Sequence, residues 1–186
     1  MLAGLRCRTT SILSASQHYQ CRHFFSFPSN EPTTFSVTQR FNYPPGLIYG
    51  VVSDVQHYSE FVPFCEGSTI TKTDGDGNPV EAVLKVGWNQ FNEEFASKIE
   101  CVKDKSVVSS APDHSMFNVL YSKWTISPSQ ISENACNVKL DLEFQFKNAM
   151  YNMVSSQFAP AVSQVMVDAF TKRAHAVALQ EKRKVN

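Results

Sequence analysis

Residues 136–146, CNVKLDLEFQF, together with the run that follows them to about Lys182, decide the fold. Cys136, Val138, Leu140, Leu142, Phe144 and Phe146 alternate with Asn137, Lys139, Asp141, Glu143 and Gln145. A period of two with one oily and one wet side predicts a half-buried strand. Immediately afterwards the period changes. Met150, Met153, Val154, Phe158, Ala161, Val162, Val165, Met166, Ala169 and Phe170 recur at helical spacing, which predicts one long amphipathic helix. Lys172, Arg173, Lys182, Arg183 and Lys184 lie toward its C-terminal end, where cations suit the helix dipole. Pro160 is expected to kink it. No charge falls between Ala149 and Val167, but Asn152, Ser155, Ser156, Gln157, Ser163 and Gln164 do, which argues against a membrane span. A long helix covering the oily face of a sheet explains the stripe better.

Working outward, the same alternation recurs. Phe35, Val37 and Phe41 oppose Thr34, Ser36, Thr38 and Arg40, a first strand. Pro44-Pro45-Gly46 breaks it and suits a helix start, followed by Leu47, Ile48, Val51, Val52 and Val55 at helical spacing. Residues 57–64 read as a second short helix. Asp74-Gly75-Asp76-Gly77-Asn78 separates two strand-like runs and predicts a hairpin turn. Strands then follow over Phe91–Val102, from Ser106, and over Phe117–Ile126. The fold class is α+β: a curved antiparallel sheet of about seven strands around a C-terminal helix, with two short helices after the first strand.

The chain has 186 residues, enough for one domain with a sizeable core. Its 17 basic and 17 acidic residues are unevenly placed. Residues 1–30 hold Arg6, Arg8 and Arg22 and no acid, with many Ser and Thr and no long apolar run. That composition reads as a mitochondrial transit peptide, so the folded domain is assigned to 31–186. Removing those three arginines leaves 14 basic against 17 acidic residues, a net of −3. A protein held on nucleic-acid phosphates needs a basic surplus, so no nucleic-acid partner is expected.

Catalytic and metal motifs are missing. The five cysteines, Cys7, Cys21, Cys65, Cys101 and Cys136, form no CxxC pair and read as free thiols. His57, His114 and His175 are widely spread, fit no metal site, and read as surface or half-buried residues. The Asp74 loop fails as a calcium site because Pro79 and Lys85 stand where glycine and glutamate are required. Glu93 and Glu94 are adjacent in a strand and point to opposite faces. Asp54 and His57 read as a surface ion pair. The surplus is apolar instead, with 14 Phe, 5 Met and 2 Trp. A curved sheet gripping one helix rarely closes completely, and the gap would be an apolar pocket with few polar anchors.

One segment is more specific. Tyr58-Ser59-Glu60-Phe61-Val62-Pro63-Phe64-Cys65 resembles the Y-x-x-F-[LV]-P-[WF]-C signature of the mitochondrial coenzyme Q-binding proteins, within the START and polyketide cyclase superfamily. Leu84–Trp88, Met116–Leu120, Trp124–Pro128 and Phe144–Phe146 match in order. The resemblance covers roughly residues 33–180. Phe64 departs from it, since tryptophan is common there and its indole N–H is lost. The resemblance implies a helix-grip fold, ubiquinone as bound ligand and no catalytic cofactor. It also implies a non-enzymatic chaperone role in coenzyme Q synthesis and respiration, with the complexes of those pathways as partners. The location it implies is peripheral, on the matrix side of the mitochondrial inner membrane.

On that reading Phe61, Val62, Pro63 and Phe64 edge the pocket mouth. Leu84, Val86, Trp88, Leu120, Trp124, Phe144, Phe158, Val162 and Met166 line the interior. A cyclase-like enzyme is the alternative if an acid/base group faces the pocket. A ribosome-associated module, as bacterial relatives are described, is the third reading, and the acidic balance argues against it.

Overall fold

The computed structural model describes residues 31–88 and 91–185, with only the backbone for residues 88, 91, 149–160 and 185. The segment read as a transit peptide lies outside the described residues. Strand β1 (Thr33–Phe41) leads through α1 (Pro45–Ser53), a 3-10 turn (Val55–His57) and the short α2 (Tyr58–Phe61) into β2 (Cys65–Thr73). There follow β3 (Pro79–Trp88), β4 (Phe91–Val102), β5 (Ser106–Ser110), β6 (Phe117–Pro128), β7 (Cys136–Phe146) and α3 (Ala149–Val185). The helix runs on through Pro160.

The strands form one antiparallel sheet in the order β1-β7-β6-β5-β4-β3-β2. β2 to β7 meander, each pairing with the next. β1 and β2 are consecutive among the strands yet occupy opposite edges, so α1 and α2 must carry the chain across the sheet. Register irregularities interrupt the ladders between Cys65 and Gly67 and between Phe117 and Val119. Such bulges bend a strand and increase its twist, which favours curvature.

The Asp74 segment is the expected hairpin turn. The Asp74 carboxylate accepts the N–H of Asp76 at 2.9 Å and of Asn78 at 2.8 Å, and Gly77 supplies the φ of 83° that the turn requires. The Tyr49 hydroxyl donates to Asn78 Oδ1 at 3.0 Å, tying α1 to this hairpin. Burial, with the nearby Cys101 adding to it, pushes that phenol up to about 12.

The outer face of the sheet is wet at Asn137 and Lys139, as the alternation in β7 requires, whereas Gln145 near the end of the strand is buried. Lys139 meets Asp141 at 2.8 Å and Lys85 meets Glu94 at 3.0 Å, both largely in solvent, where such pairs contribute little. Cys65, Cys101 and Cys136 are free thiols. Asp54 and His57 form the expected exposed pair at 2.6 Å.

Candidate ligand-binding site

The inner face of the sheet divides along its strands. At one end Phe41, Val138, Ile126 and Leu140 are buried, with Val52 of α1 and Val167 of α3 in the same cluster. Trp124, opposite Leu140 in the ladder, packs against Phe170 of α3 with ring centroids 4.6 Å apart and planes tilted by 50°. The buried side of α3 here is Ser163, Val167, Phe170, Ala174 and Ala178, a helical spacing in which small residues let the helix approach closely.

Further along the same strands the inward register positions are Leu142, Phe144 and Phe146 of β7, Leu120 and Phe117 of β6, Phe95 of β4, and Leu84 and Val86 of β3. Every one of these is only half-buried. They have the composition of a core without its closure. Phe117 and Phe146 lie 4.2 Å apart, and Phe144 meets Phe146 edge-on at 6.0 Å.

Serines lie between the two ends. Ser97, Ser109 and Ser122 share the inner face; Ser109 Oγ and Ser122 Oγ are 2.8 Å apart, and Ser97 Oγ donates to the Ser110 carbonyl at 3.3 Å. Each hydroxyl has a hydrogen-bond partner, but none fills the space a leucine would.

His114, in the loop from β5 to β6, is 3% exposed. It lies 4.9 Å from Phe95 and edge-on to Phe117 at 4.8 Å. Its Nδ1 accepts the Met116 N–H at 2.9 Å, while its Nε2 is buried with no partner among the described residues. Burial, assisted by the charge of Lys147 and opposed by Glu93, holds the imidazole below its ordinary pKa, so it is neutral at pH 7. The Glu93 carboxylate accepts Ser115 Oγ at 3.1 Å. His114 and Phe117, with Pro112, Asp113, Ser115, Asn118 and Lys147, also wall a concavity of about 460 Å³.

The α2 segment borders the half-buried region and is pinned from two sides. On the β2 side, Ser68 Oγ donates to the Gln56 carbonyl at 3.1 Å and accepts the Ser59 N–H at 3.3 Å. On the α3 side, Tyr58, Phe61 and Phe170 form an edge-to-face cluster with centroids 5.1–5.7 Å apart. Arg173 lies 5.3 Å above the Phe61 ring and reaches Glu60 at 3.0 Å. The Tyr58 hydroxyl donates to the Val52 carbonyl, and burial raises its pKa far above the ordinary range. Phe64 is 46% exposed and has φ 65°, a left-handed conformation rare for a bulky residue.

These placements sort the residues named from the sequence. Leu84, Val86, Leu120 and Phe144 are brought together in the half-buried region. Trp124 is instead part of the closed core, 6% exposed, because Phe170 covers it. Val162 is 37% exposed, off the buried side of α3, because Ser163 takes the inward position one residue later. Met166 is half-buried against the core. Of the four mouth residues, Phe61 and Val62 pack against the core, Pro63 is half-buried, and Phe64 alone projects. The side chains of Trp88 and Phe158 lie outside the described residues.

The sequence reads His114 as a surface or half-buried residue, and its 3% exposure corrects that. No local pattern marks a buried histidine in a loop. The serine row was legible in principle, since Ser97 falls in phase with Phe95 and Ile99. Among the described residues no group of histidines, cysteines and carboxylates is arranged to hold a metal ion, and no helix is long and apolar enough to cross a membrane.

The profile of a family described as "Polyketide cyclase / dehydrase and lipid transport" matches residues 41–171. The chain is 38% identical over 163 residues to the coenzyme Q-binding protein COQ10, mitochondrial, of Saccharomyces cerevisiae, covering 83% of this chain and 78% of that one. It is 33% identical over 183 residues to the protein of the same name in Dictyostelium discoideum, covering 89% of each. A solved START superfamily protein from Mycobacterium smegmatis superposes with a TM-score of 0.69 at 17% identity, over 77% of this chain and 98% of its own length. That last likeness supports the fold alone. With the sheet, the gripped helix and the ordered motifs all in agreement, the chain belongs to the START-like family of coenzyme Q-binding proteins.

Proposed function

We propose that this protein binds ubiquinone in the half-buried aromatic region of the sheet and acts as a non-enzymatic lipid chaperone for coenzyme Q synthesis and respiratory electron transport. The observation that carries the reading is the contrast along single strands. In β7, Val138 and Leu140 are fully buried while Leu142, Phe144 and Phe146, on the same face, are not. Apolar surface left open inside a folded domain is costly, and a ligand removes it from water.

A prenylated quinone suits this hollow. Each buried methylene contributes about 0.8 kcal/mol, so a few isoprene units supply ample gross binding energy. Lost freedom of the tail offsets much of it. Pockets of roughly 300–1,000 Å³ cannot hold a long tail whole. The head and nearest isoprenes enter, and the remainder stays in lipid or along a surface groove. Phe64, held outward beside α2, touches the bilayer at the entrance. The relatives are named mitochondrial, and the arginine-rich, acid-free residues 1–30 fit import. The site of action is the matrix side of the inner membrane, with the quinone-synthesising and quinone-using complexes as partners.

A cyclase-like enzyme is the second reading, favoured by one observation: Glu93 and His114 are titratable groups at the edge of the hollow. It requires turnover of a bound substrate, whereas a chaperone releases its ligand unchanged. Purifying the full chain from its own mitochondria, extracting the lipid and identifying it by mass spectrometry separates the outcomes. Stoichiometric intact ubiquinone supports the chaperone. A different lipid, or a chemically altered product, contradicts it.

A further inference from the structure

We infer that the Nε2–H of His114 is the hydrogen-bond donor that receives a carbonyl oxygen of the bound quinone, fixing the head group at the β5–β6 end of the hollow. The inference rests on the ubiquinone reading above and adds the atom that holds the head. It starts from the tautomer. The Met116 N–H donates to Nδ1 at 2.9 Å, which occupies that nitrogen's lone pair. A neutral ring must then carry its proton on Nε2.

That N–H is buried and has no acceptor among the described residues. Native proteins rarely leave a buried donor unpaired, and a specific exception asks for an explanation. The surroundings define what would complete it. Phe95 and Phe117 flank the imidazole at 4.9 and 4.8 Å, offering flat apolar walls. The same histidine walls a concavity of about 460 Å³. A quinone ring is flat, apolar on its faces, and carries carbonyl acceptors without any donor. It therefore matches a site that offers one N–H between aromatic rings. The inner-face serines have partners, Ser109 with Ser122 and Ser97 with the Ser110 carbonyl, so among the described residues His114 Nε2 is the buried side-chain donor left to read the head.

The test uses the full chain and ubiquinone carrying a two-isoprene tail, with a hydrocarbon of the same tail length as control. In the unaltered protein, labelled with ¹⁵N-histidine, the Nε2–H resonance should move downfield on adding the quinone, and the quinone carbonyl stretch should fall in frequency. His114→Phe keeps a flat ring in place and should lower quinone affinity roughly tenfold, leaving the tail-only control unchanged. If the unaltered protein binds the quinone while the Nε2–H signal stays fixed and His114→Phe binds as well, the anchor assignment is overturned and the ubiquinone reading stands. If His114→Phe loses both ligands equally, the residue is structural and the assignment is likewise overturned. If the unaltered chain binds no quinone, both fall together.

Discussion

The two ends of the inner face share strands, register and residue types, yet only one is closed. Where Val138 and Leu140 lie, α1 and α3 supply Val52, Val167 and Phe170, and each of these side chains is at most 4% exposed. Where Leu120 and Phe144 lie, the inner-face side chains are only half-buried, with Phe117 and Phe146 in contact at 4.2 Å among them. The difference does not come from hydrophobicity, which is as high in the open half. It coincides with the serine row that lies between the ends. Closing a core needs matched volume on both sides.

The largest expected break is Phe170→Ala. This ring, 4% exposed, joins Trp124 to Tyr58 and Phe61, and its loss should cost about 3–5 kcal/mol in denaturant unfolding. It should also loosen α2, because the α3 ring against which Tyr58 and Phe61 both pack disappears. A cost below about 1 kcal/mol would mean that the closed half is not closed.

A matched pair sharpens the contrast. Leu140→Ala in the closed half should destabilise by about 2–5 kcal/mol, while Leu120→Ala in the open half should cost about 1 kcal/mol. Quinone affinity should reverse that order, falling more with Leu120→Ala. Equal stability costs and equal affinities would erase the distinction between the two regions.

Phe64→Gly should stabilise the fold by about 1 kcal/mol, since glycine accepts the φ of 65° without strain. The same change should weaken sedimentation with vesicles of mitochondrial lipid composition. A variant both less stable and equally membrane-bound would contradict the role given to Phe64.

The smallest effect concerns acid. The pKa of His114 is lowered in the folded state, so the unfolded ring takes a proton first as pH falls below its ordinary value of 6.5. Stability should therefore decline from that point toward the folded pKa and be flat above it, and His114→Phe should lack this slope. His57 acts in the opposite sense. Its hydrogen bond to Asp54 raises its pKa, so its contribution is present at low pH and lost as pH rises through the folded value. His57→Asn should lack that second slope, and comparing it with His114→Phe separates the two.

The sheet and its gripped helix were legible because period two and helical spacing are properties of single segments. The alternation from Cys136 to Phe146 and the Asp74 turn needed no tertiary information. The site was legible only in part. Leu84, Val86, Leu120 and Phe144 follow from strand phase, and the structure gathers them together. Trp124 could not be separated from them, because its burial depends on Phe170, 46 positions away. Val162 misled because helical spacing tolerates a shift by one residue, and a serine, not a valine, takes the buried position. His114 was invisible for a related reason: burial of a loop residue is decided by Phe95 and Phe117 from two other strands.

The most direct test is a methyl-resolved titration of the folded chain with short-tailed ubiquinone. Leu84, Val86, Leu120 and Leu142 should shift in saturable fashion, while Val52, Val107, Val138 and Leu140 should stay in place. Shifts confined to the closed half, or spread evenly over both, would show that the open aromatic end is not where the quinone goes.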